Sequence, residues 1–203
     1  MISNRVVTCQ SFSISESDAD VGARFGGTSP KGVHPPKASD RCEYLLTVSC
    51  NDRELSVFTA LVYDPDDPNC VWRLSRQLLP DSNSWVQAVL HDPAPRSAGN
   101  RLRSSFAGHR LDVEDPRADT DEGPDGPYLL HKIGGTPVFR DGGKDLEALA
   151  TSVMRDGFLH ALQLASPGSR DADIGGSWPF GDDVFHVFMQ RQSSRTSFRF
   201  LWG

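Results

Sequence analysis

The sequence lacks the features of a membrane or secreted protein. None of its 203 residues belongs to an apolar run that approaches the ~20 residues a membrane-spanning helix needs. Residues 1–5 form no apolar core of the signal-peptide kind. We therefore expect a cytoplasmic protein with no membrane partner.

Cysteine is scarce and has no metal-binding spacing. The four cysteines, Cys9, Cys42, Cys50 and Cys70, contain no CxxC pair, so a structural zinc site is not expected. In a reducing compartment they are expected to be free thiols, mostly buried.

Basic residues are also fewer than acidic residues. The formal net charge is −6. This balance argues against direct nucleic-acid binding, which needs a basic surface to neutralise phosphates. It suits the opposite role, which is to bind a basic partner.

Catalytic and cofactor motifs are missing as well. No HExxH, P-loop, GxGxxG or GxSxG pattern occurs, so no catalytic residue, metal or cofactor is predicted. His131, His160 and His186 could in principle converge with Asp182 or Asp183 as metal ligands or as a base with its carboxylate. Alternation around His186 favours an ordinary structural or surface role instead.

What the sequence has in abundance is glycine and proline. The 18 glycines and 14 prolines favour many short elements joined by tight turns over long helices. One glycine motif occurs twice, 108 residues apart (132 against 24): Arg-Phe-Gly-Gly-Thr-Ser-Pro at residues 24–30 and Lys-Ile-Gly-Gly-Thr-Pro at residues 132–137. Adjacent glycines permit a sharp reversal of the chain, so we interpret the motif as a structural turn.

A similar succession of strands follows each motif. The runs are short, rich in β-branched and aromatic residues, and bounded by turn residues, which is typical of strands. The predicted strands are 44–49, 56–63 and 70–74 after the first motif, and 158–164, 184–190 and 197–202 after the second. Helical spacing predicts a helix over residues 144–155 and a weaker one over residues 82–90.

An acidic segment separates the two halves. Residues 112–125 contain seven acidic residues and one arginine, a charge of −6 that equals the net charge of the protein. Because the segment has few apolar residues, it is predicted to be a loop, either a solvated connection or an acidic arm that contacts a basic partner. We thus predict a β-rich α+β fold of two tandem repeats with mostly antiparallel strands and few short helices: residues 1–111, an acidic linker over 112–127, and residues 128–203, packed as one unit.

The second half resembles a known family. Ile133-Gly134-Gly135-Thr136-Pro137, the Leu-Gln-Leu run at 162–164, Trp-Pro-Phe-Gly-Asp at 178–182 and Phe-His-Val-Phe at 185–188 are similar to the YwqG-like family of uncharacterised bacterial proteins. The resemblance covers residues 128–202, and the first half matches as a degenerate copy. It implies a two-repeat α+β fold without established enzymatic activity, in a family with members that act as immunity proteins.

Two functions remain open at this stage. The first is a non-enzymatic immunity protein that occludes a basic, nuclease-type toxin, since an acidic inhibitor would be steered to such a target. Trp178, in a Gly- and Pro-flanked loop, is expected to be exposed as a binding anchor. The candidate partner contacts are Asp64, Asp66, Asp67, Glu114, Asp115, Asp119, Asp121, Glu122, Trp178, Phe180, Asp182 and Asp183. The second is an enzyme or small-ligand protein that uses a cleft between the repeats lined by the three histidines.

Overall fold

The computed structural model describes residues 8–37, 42–60, 74–98, 104–119, 131–139, 143–167, 171–174 and 178–203. Twelve strands and one helix lie within these ranges. The elements are β1 (Thr8–Ile14), β2 (Arg24–Phe25), β3 (Cys42–Cys50), β4 (Arg53–Ala60), β5 (Leu79–Pro80), β6 (Val86–His91), β7 (His109–Val113), β8 (Arg117–Ala118), β9 (His131–Gly134), α1 (Lys144–Arg155), β10 (Leu159–Leu164), β11 (Phe185–Arg191) and β12 (Thr196–Trp202).

All of the strands belong to one curled antiparallel sheet. Its order is β5-β12-β11-β10-β9-β1-β7-β2-β3-β4-β6, and β8 pairs with β1 beside this path. The two middle strands, β1 and β7, pair through Phe12 with Val113 and through Ile14 with Leu111. Each middle strand then pairs outward, β1 with β9 and β7 with β2, so that both halves of the sequence contribute to the centre of the sheet.

The prediction of a β-rich, mostly antiparallel fold is confirmed. The helix begins and ends at the predicted residues. Residues 44–49, 56–60, 159–164, 185–190 and 197–202 of the predicted runs lie in β3, β4, β10, β11 and β12, whereas Phe158 and Val184 precede their strands. Within the described ranges, no helix is both long and apolar enough to cross a membrane. Residues 61–73 lie outside the described residues, as do Asp121 and Glu122. They include the predicted contacts Asp64, Asp66 and Asp67 and the predicted strand at 70–74 except for its last residue.

The prediction of a helix over residues 82–90 is wrong. Residues 86–91 form β6, which pairs with β4 along its length. The Asn83 side chain accepts the amide protons of Trp85 (2.8 Å) and Val86 (2.7 Å), which ends the preceding turn and starts the strand. The apolar run is short enough to suit either element, and pairing with a buried neighbouring strand decides between them.

The expectation that residues 112–125 form a loop throughout is also wrong. Asp112 and Val113 belong to β7, and Arg117 and Ala118 form β8. In β7 the side chain of Leu111 is buried whereas that of Asp112 is exposed. Alternation along the strand therefore lets Asp112 enter the sheet without burying its charge.

The two faces of the sheet bury separate sets of apolar side chains. Val187, Phe200 and Trp202 belong to the main core cluster on one face. Phe188 and Leu201 point the other way and pack against α1 through residues such as Leu146. Because a fully buried side chain of this size stabilises the fold by roughly 1.5–3 kcal/mol, the packed faces hold the curled sheet together.

Both glycine motifs are left-handed turns at strand ends. Gly26 and Gly27 have φ of 62° and 73°, and Gly134 and Gly135 have φ of 73° and 76°. A Cβ on Gly26 would lie 2.0 Å from the Ala107 carbonyl oxygen. Glycine is therefore required there by backbone angle and by space.

Candidate functional site

Six exposed carboxylates lie along the antiparallel pair of β1 and β7 at the middle of the sheet: three follow the end of β1 at one end of this pair, and three lie in or just after β7 toward the other end. The Ser15 amide donates to the Arg110 carbonyl (2.9 Å), and the Arg110 amide donates to the Ser17 carbonyl (2.6 Å), which joins residues 15–17 to the start of β7. We call this surface the acidic face. It consists of Glu16, Asp18, Asp20, Asp112, Glu114 and Asp115.

Two arginines partly balance the acidic face. Arg110 Nε lies 2.7 Å from the Asp112 carboxylate, and Arg96 Nη2 lies 2.5 Å from the Asp18 carboxylate. The carboxylates of both pairs are about half exposed, at 49% for Asp112 and 58% for Asp18. Arg117, which is exposed in β8 two residues after Asp115, adds a third positive charge. With three positive charges against six negative ones, the acidic face keeps a negative excess that a basic surface would match.

The predicted partner contacts fall into different environments. Glu114 and Asp115 are exposed on the acidic face, and Asp182 is exposed elsewhere. Asp183 is half-buried and accepts a hydrogen bond from Ser75 Oγ (2.5 Å). Only some of the predicted contact residues are therefore exposed enough to touch a partner.

The expectation that Trp178 is exposed is wrong. Trp178 is 8% exposed and Phe180 is fully buried, so neither side chain is open to a partner. The Trp178 ring stacks on Phe25 at a centroid distance of 6.0 Å, and Phe180 stacks on Phe185 at 4.2 Å. Flanking glycine and proline suggested an exposed loop, but apolar rings from distant strands cover it.

Asp119 is likewise turned inward. Its carboxylate lies 3.1 Å from Lys132 Nζ, with only 3% and 2% of the two side chains exposed. It also accepts the Thr136 amide proton beside the second glycine turn. Burial alone would raise the pKa of Asp119, but the hydrogen bonds from Thr136 and Lys132 outweigh burial and lower the pKa below its ordinary value.

His160 and His186 converge, whereas His131 lies apart from them. His160 Nδ1 lies 3.0 Å from the Gly134 carbonyl oxygen, so it must donate, and His160 Nε2 then accepts from His186 Nδ1 at 3.2 Å. Burial, with the nearby Lys132 charge, lowers the pKa of His160 to about 4. Burial and then His160 lower the pKa of His186 well below its ordinary value, so both rings are neutral at physiological pH.

His131 forms a separate buried pair. Its Nε2 lies 3.2 Å from Asp171 Oδ2, and its Nδ1 accepts the Ala165 amide proton at 3.3 Å. Both ring nitrogens are thus engaged, which suits a structural role. Among the described residues, no group of three or more His, Cys, Asp or Glu side chains is arranged to hold a metal ion.

A serine–histidine–glutamate array in the first half was not predicted. Ser56 Oγ lies 2.8 Å from His91 Nε2, and the nearest Glu54 oxygen lies 3.9 Å from His91 Nδ1. Ser56 is fully buried and its hydroxyl is also bonded to Thr47 (2.7 Å). A nucleophile needs access to substrate, so this arrangement is a buried hydrogen-bond network and not an active site.

Two open cavities occur beside described residues. One, of about 380 Å³, opens at the β3–β4 hairpin next to Glu54, and its walls come from residues 21–22, 49–54 and 93–95. The other, of about 300 Å³, lies where β6 and β12 approach, between Ala88 and Phe198. None of the three predicted histidines lines either cavity, so these cavities are not the histidine-lined cleft of the second hypothesis.

No protein-family model, no curated protein and no solved structure matches the chain.

Proposed function

We propose that this protein is a non-enzymatic binding protein, an immunity protein that neutralises a basic toxin by covering it. The observation that carries the proposal is the acidic face, six exposed carboxylates built on hydrogen-bonded backbone at the centre of the sheet. A nuclease-type toxin is basic where it grips nucleic acid. Complementary charge speeds the encounter of such partners and fixes their orientation.

The rigidity of its support favours the acidic face as a docking surface. Asp112 lies within β7, which is paired on both sides by β1 and β2. The Glu114 amide donates to the Ser11 carbonyl (2.9 Å), and the Glu114 carboxylate accepts from the Ser11 hydroxyl. Backbone that is already hydrogen-bonded needs no further ordering when a partner binds, which lowers the cost of association.

The proposal includes a cytoplasmic location and the similarity to the YwqG-like family. Within it, Glu114 and Asp115 remain the predicted contacts best supplied with exposed surface. Asp119, Trp178 and Phe180 act instead in the fold that holds the acidic face in place.

A two-repeat architecture is part of the same proposal, and strand register supports it. Arg24 pairs with Thr47, which pairs with Ser56; at the corresponding places Lys132 pairs with Gln163, which pairs with His186. β3 has one register irregularity, between Tyr44 and Leu46, and β10 has one between His160 and Leu162. Each irregularity ends one residue before the paired residue, Thr47 in β3 and Gln163 in β10. In this proposal a local two-fold axis between β1 and β7 relates β9, β10, β11 and β12 to β2, β3, β4 and β6.

Each repeat in this proposal exchanges its first strand with the other. β1 lies next to β9 of the second half, and β7 lies next to β2 of the first half. The boundary between repeats then falls between β6 and β7, earlier than the acidic linker. The acidic face, at the exchanged strands, is the place where the two repeats meet.

The test is co-expression with the product of the adjacent gene. We expect that product to arrest growth, and the full-length chain to restore growth and to co-purify with it as a complex that weakens as salt rises. Glu114→Gln/Asp115→Asn should weaken the complex about tenfold or more, because charged pairs are removed without a change of shape.

The matched control removes one Glu and one Asp elsewhere. Glu147→Gln/Asp156→Asn changes exposed residues at α1 and should leave binding unaltered. A neighbouring product that is harmless, or that forms no complex, would refute the function. Equal weakening by the two double variants would refute the acidic face as its site.

A further inference from the structure

The cavity beside the β3–β4 hairpin has the construction of a binding site. Its volume of about 380 Å³ lies within the range of about 300–1,000 Å³ typical of ligand pockets. Three chain segments far apart in sequence form its walls. The lining residues are Val21, Gly22, Ser49, Asn51, Asp52, Arg53, Glu54, Pro93, Ala94 and Pro95.

A buried carboxylate lies in the wall of this cavity. The Glu54 side chain is only 5% exposed, and its Oε2 accepts the Ala94 amide proton at 3.3 Å. Its Oε1 lies 3.9 Å from Arg24 Nη1, beyond hydrogen-bond distance, and within the described part of the chain no donor is bonded to it. A buried carboxylate oxygen beside open space is suited to accept a hydrogen bond from a bound cation.

The cationic side chains nearby are already engaged. Arg24 is fully buried and donates to the carbonyls of Gly22 (2.6 Å) and Ala94 (2.9 Å). Arg53 donates to the Leu90 carbonyl (3.3 Å) and lies 3.4 Å from the Asp92 carboxylate. Asp52 is exposed and also lines the cavity, so two carboxylates and one guanidinium, that of Arg53, surround the open space.

An apolar wall faces the same space. Val21 is 65% exposed, which makes it one of two large apolar side chains that the described residues leave strongly exposed. It lines the cavity together with Pro93 and Pro95. A buried acid at one side and an apolar wall at the other match a side chain with an alkyl stem and a cationic tip.

We propose that this cavity receives a lysine or arginine side chain of the basic partner, with the stem against Val21 and the cationic group on Glu54. The inference rests on the proposed function, since the partner supplies the side chain. Continuity supports it: the Arg96 amide donates to the Asp20 carbonyl (2.9 Å), which ties the cavity wall to the acidic face. One basic surface can therefore cover the acidic face and place a side chain in the cavity.

The side-chain site can be tested without the partner. Nα-acetyl-arginine amide is titrated into the isotope-labelled full chain and followed by backbone amide NMR shifts. Saturable shifts are expected at the amides of residues 49–54 and of Ala94, with a dissociation constant on the order of a millimolar for so small a probe. Nα-acetyl-citrulline amide, the neutral isostere, should bind about tenfold more weakly or worse, because it cannot form the charged hydrogen bond.

Two variants locate the site on the protein. Ser49→Phe fills the cavity from an exposed wall position and should abolish the shifts without touching the buried Arg24–Glu54 pair. Glu54→Gln should abolish the preference for arginine over citrulline if that variant folds. Glu147→Gln, the same replacement on exposed α1, should change neither.

Several outcomes would overturn the proposal. Equal affinity for the citrulline probe, shifts spread over the acidic face, or retained binding in Ser49→Phe would each do so. Putrescine bound as tightly as the arginine probe would assign the cavity to a free diamine instead. The failure of this proposal can be distinguished from the failure of the proposed function. A toxin complex that Ser49→Phe leaves unaffected would refute the cavity site alone. Arginine binding in the absence of any toxin complex would refute the immunity function alone.

Discussion

Replacement of Asp119 by asparagine isolates the contribution of its buried ion pair with Lys132. The change keeps the size of the side chain and an oxygen for the Thr136 amide, but it removes the charge 3.1 Å from the lysine ammonium. Lys132 is 2% exposed, so its charge would remain buried without a counterion. Breaking one side of such a pair typically costs about 3–5 kcal/mol.

Urea denaturation of the full chain at pH 7 measures this loss. With an m-value of about 2 kcal/mol/M, a loss of about 4 kcal/mol lowers the unfolding midpoint by about 2 M. Asp112→Asn is the matched control, because Asp112 pairs with Arg110 on the surface, where an ion pair contributes about 0–1 kcal/mol. The ratio of the two losses in unfolding free energy measures how much burial strengthens the effect of removing one partner of an ion pair.

The double variant and the pH dependence complete the test. Asp119→Asn/Lys132→Met should recover much of the lost stability, because it removes the unpaired charge. The folded pKa of Asp119 is lowered, so its contribution is fully present above the unfolded pKa of about 3.9 and is lost as pH falls through the folded value. The gap between the native protein and Asp119→Asn should therefore shrink below about pH 4. An effect of Asp119→Asn no larger than that of Asp112→Asn would refute the reasoning.

Three further predictions concern the glycine turns, the histidine pair and the exchanged strands. Gly26→Ala should lower the thermal unfolding temperature much more than the control Gly32→Ala does. Both glycines have positive φ, but of the two only Gly26 would place its Cβ 2.0 Å from a backbone oxygen. Equal losses in the two variants would contradict the steric argument. His160 should show no NMR titration between pH 5 and 8, since its pKa is about 4, and a midpoint near 6.5 would disprove its burial as a neutral ring. Fragments 1–100 and 101–203 should unfold cooperatively only when mixed, because β1 of the first pairs with β9 of the second and β7 of the second pairs with β2 of the first. A fragment that folds alone by circular dichroism would contradict this prediction.

Local patterns predicted the regular elements well and their environment poorly. The helix Lys144–Arg155 was predictable because apolar spacing, acidic residues in its first turn and a following glycine all agree. The strand at residues 86–91 was not, because its apolar run is short and its partner β4 lies some thirty residues earlier in the sequence. Pairing is a non-local choice that no window of the sequence contains.

Local sequence patterns also failed to predict which charged side chains are buried. Asp119 lies in the most acidic stretch of the chain, which indicates solvent, yet it faces inward because Lys132 lies in β9 beside it. One signal was available: both glycine motifs begin with a basic residue inside an apolar strand, and both of those residues, Arg24 and Lys132, are buried. A long cation in a strand predicts a buried carboxylate partner, although not which one.

The candidate binding site was beyond prediction for a related reason. Its cavity is made by the β3–β4 hairpin and by two loops from other parts of the first half, and each of these segments has an ordinary turn sequence. Glu54 gains its character from contacts with Arg24, His91 and Ala94, which lie 30 to 40 residues away in sequence (54 against 24, and 94 against 54). The glycine turn next to Arg24 fixes where that arginine lies, so the motif that is structural in itself still determines where a cation can bind.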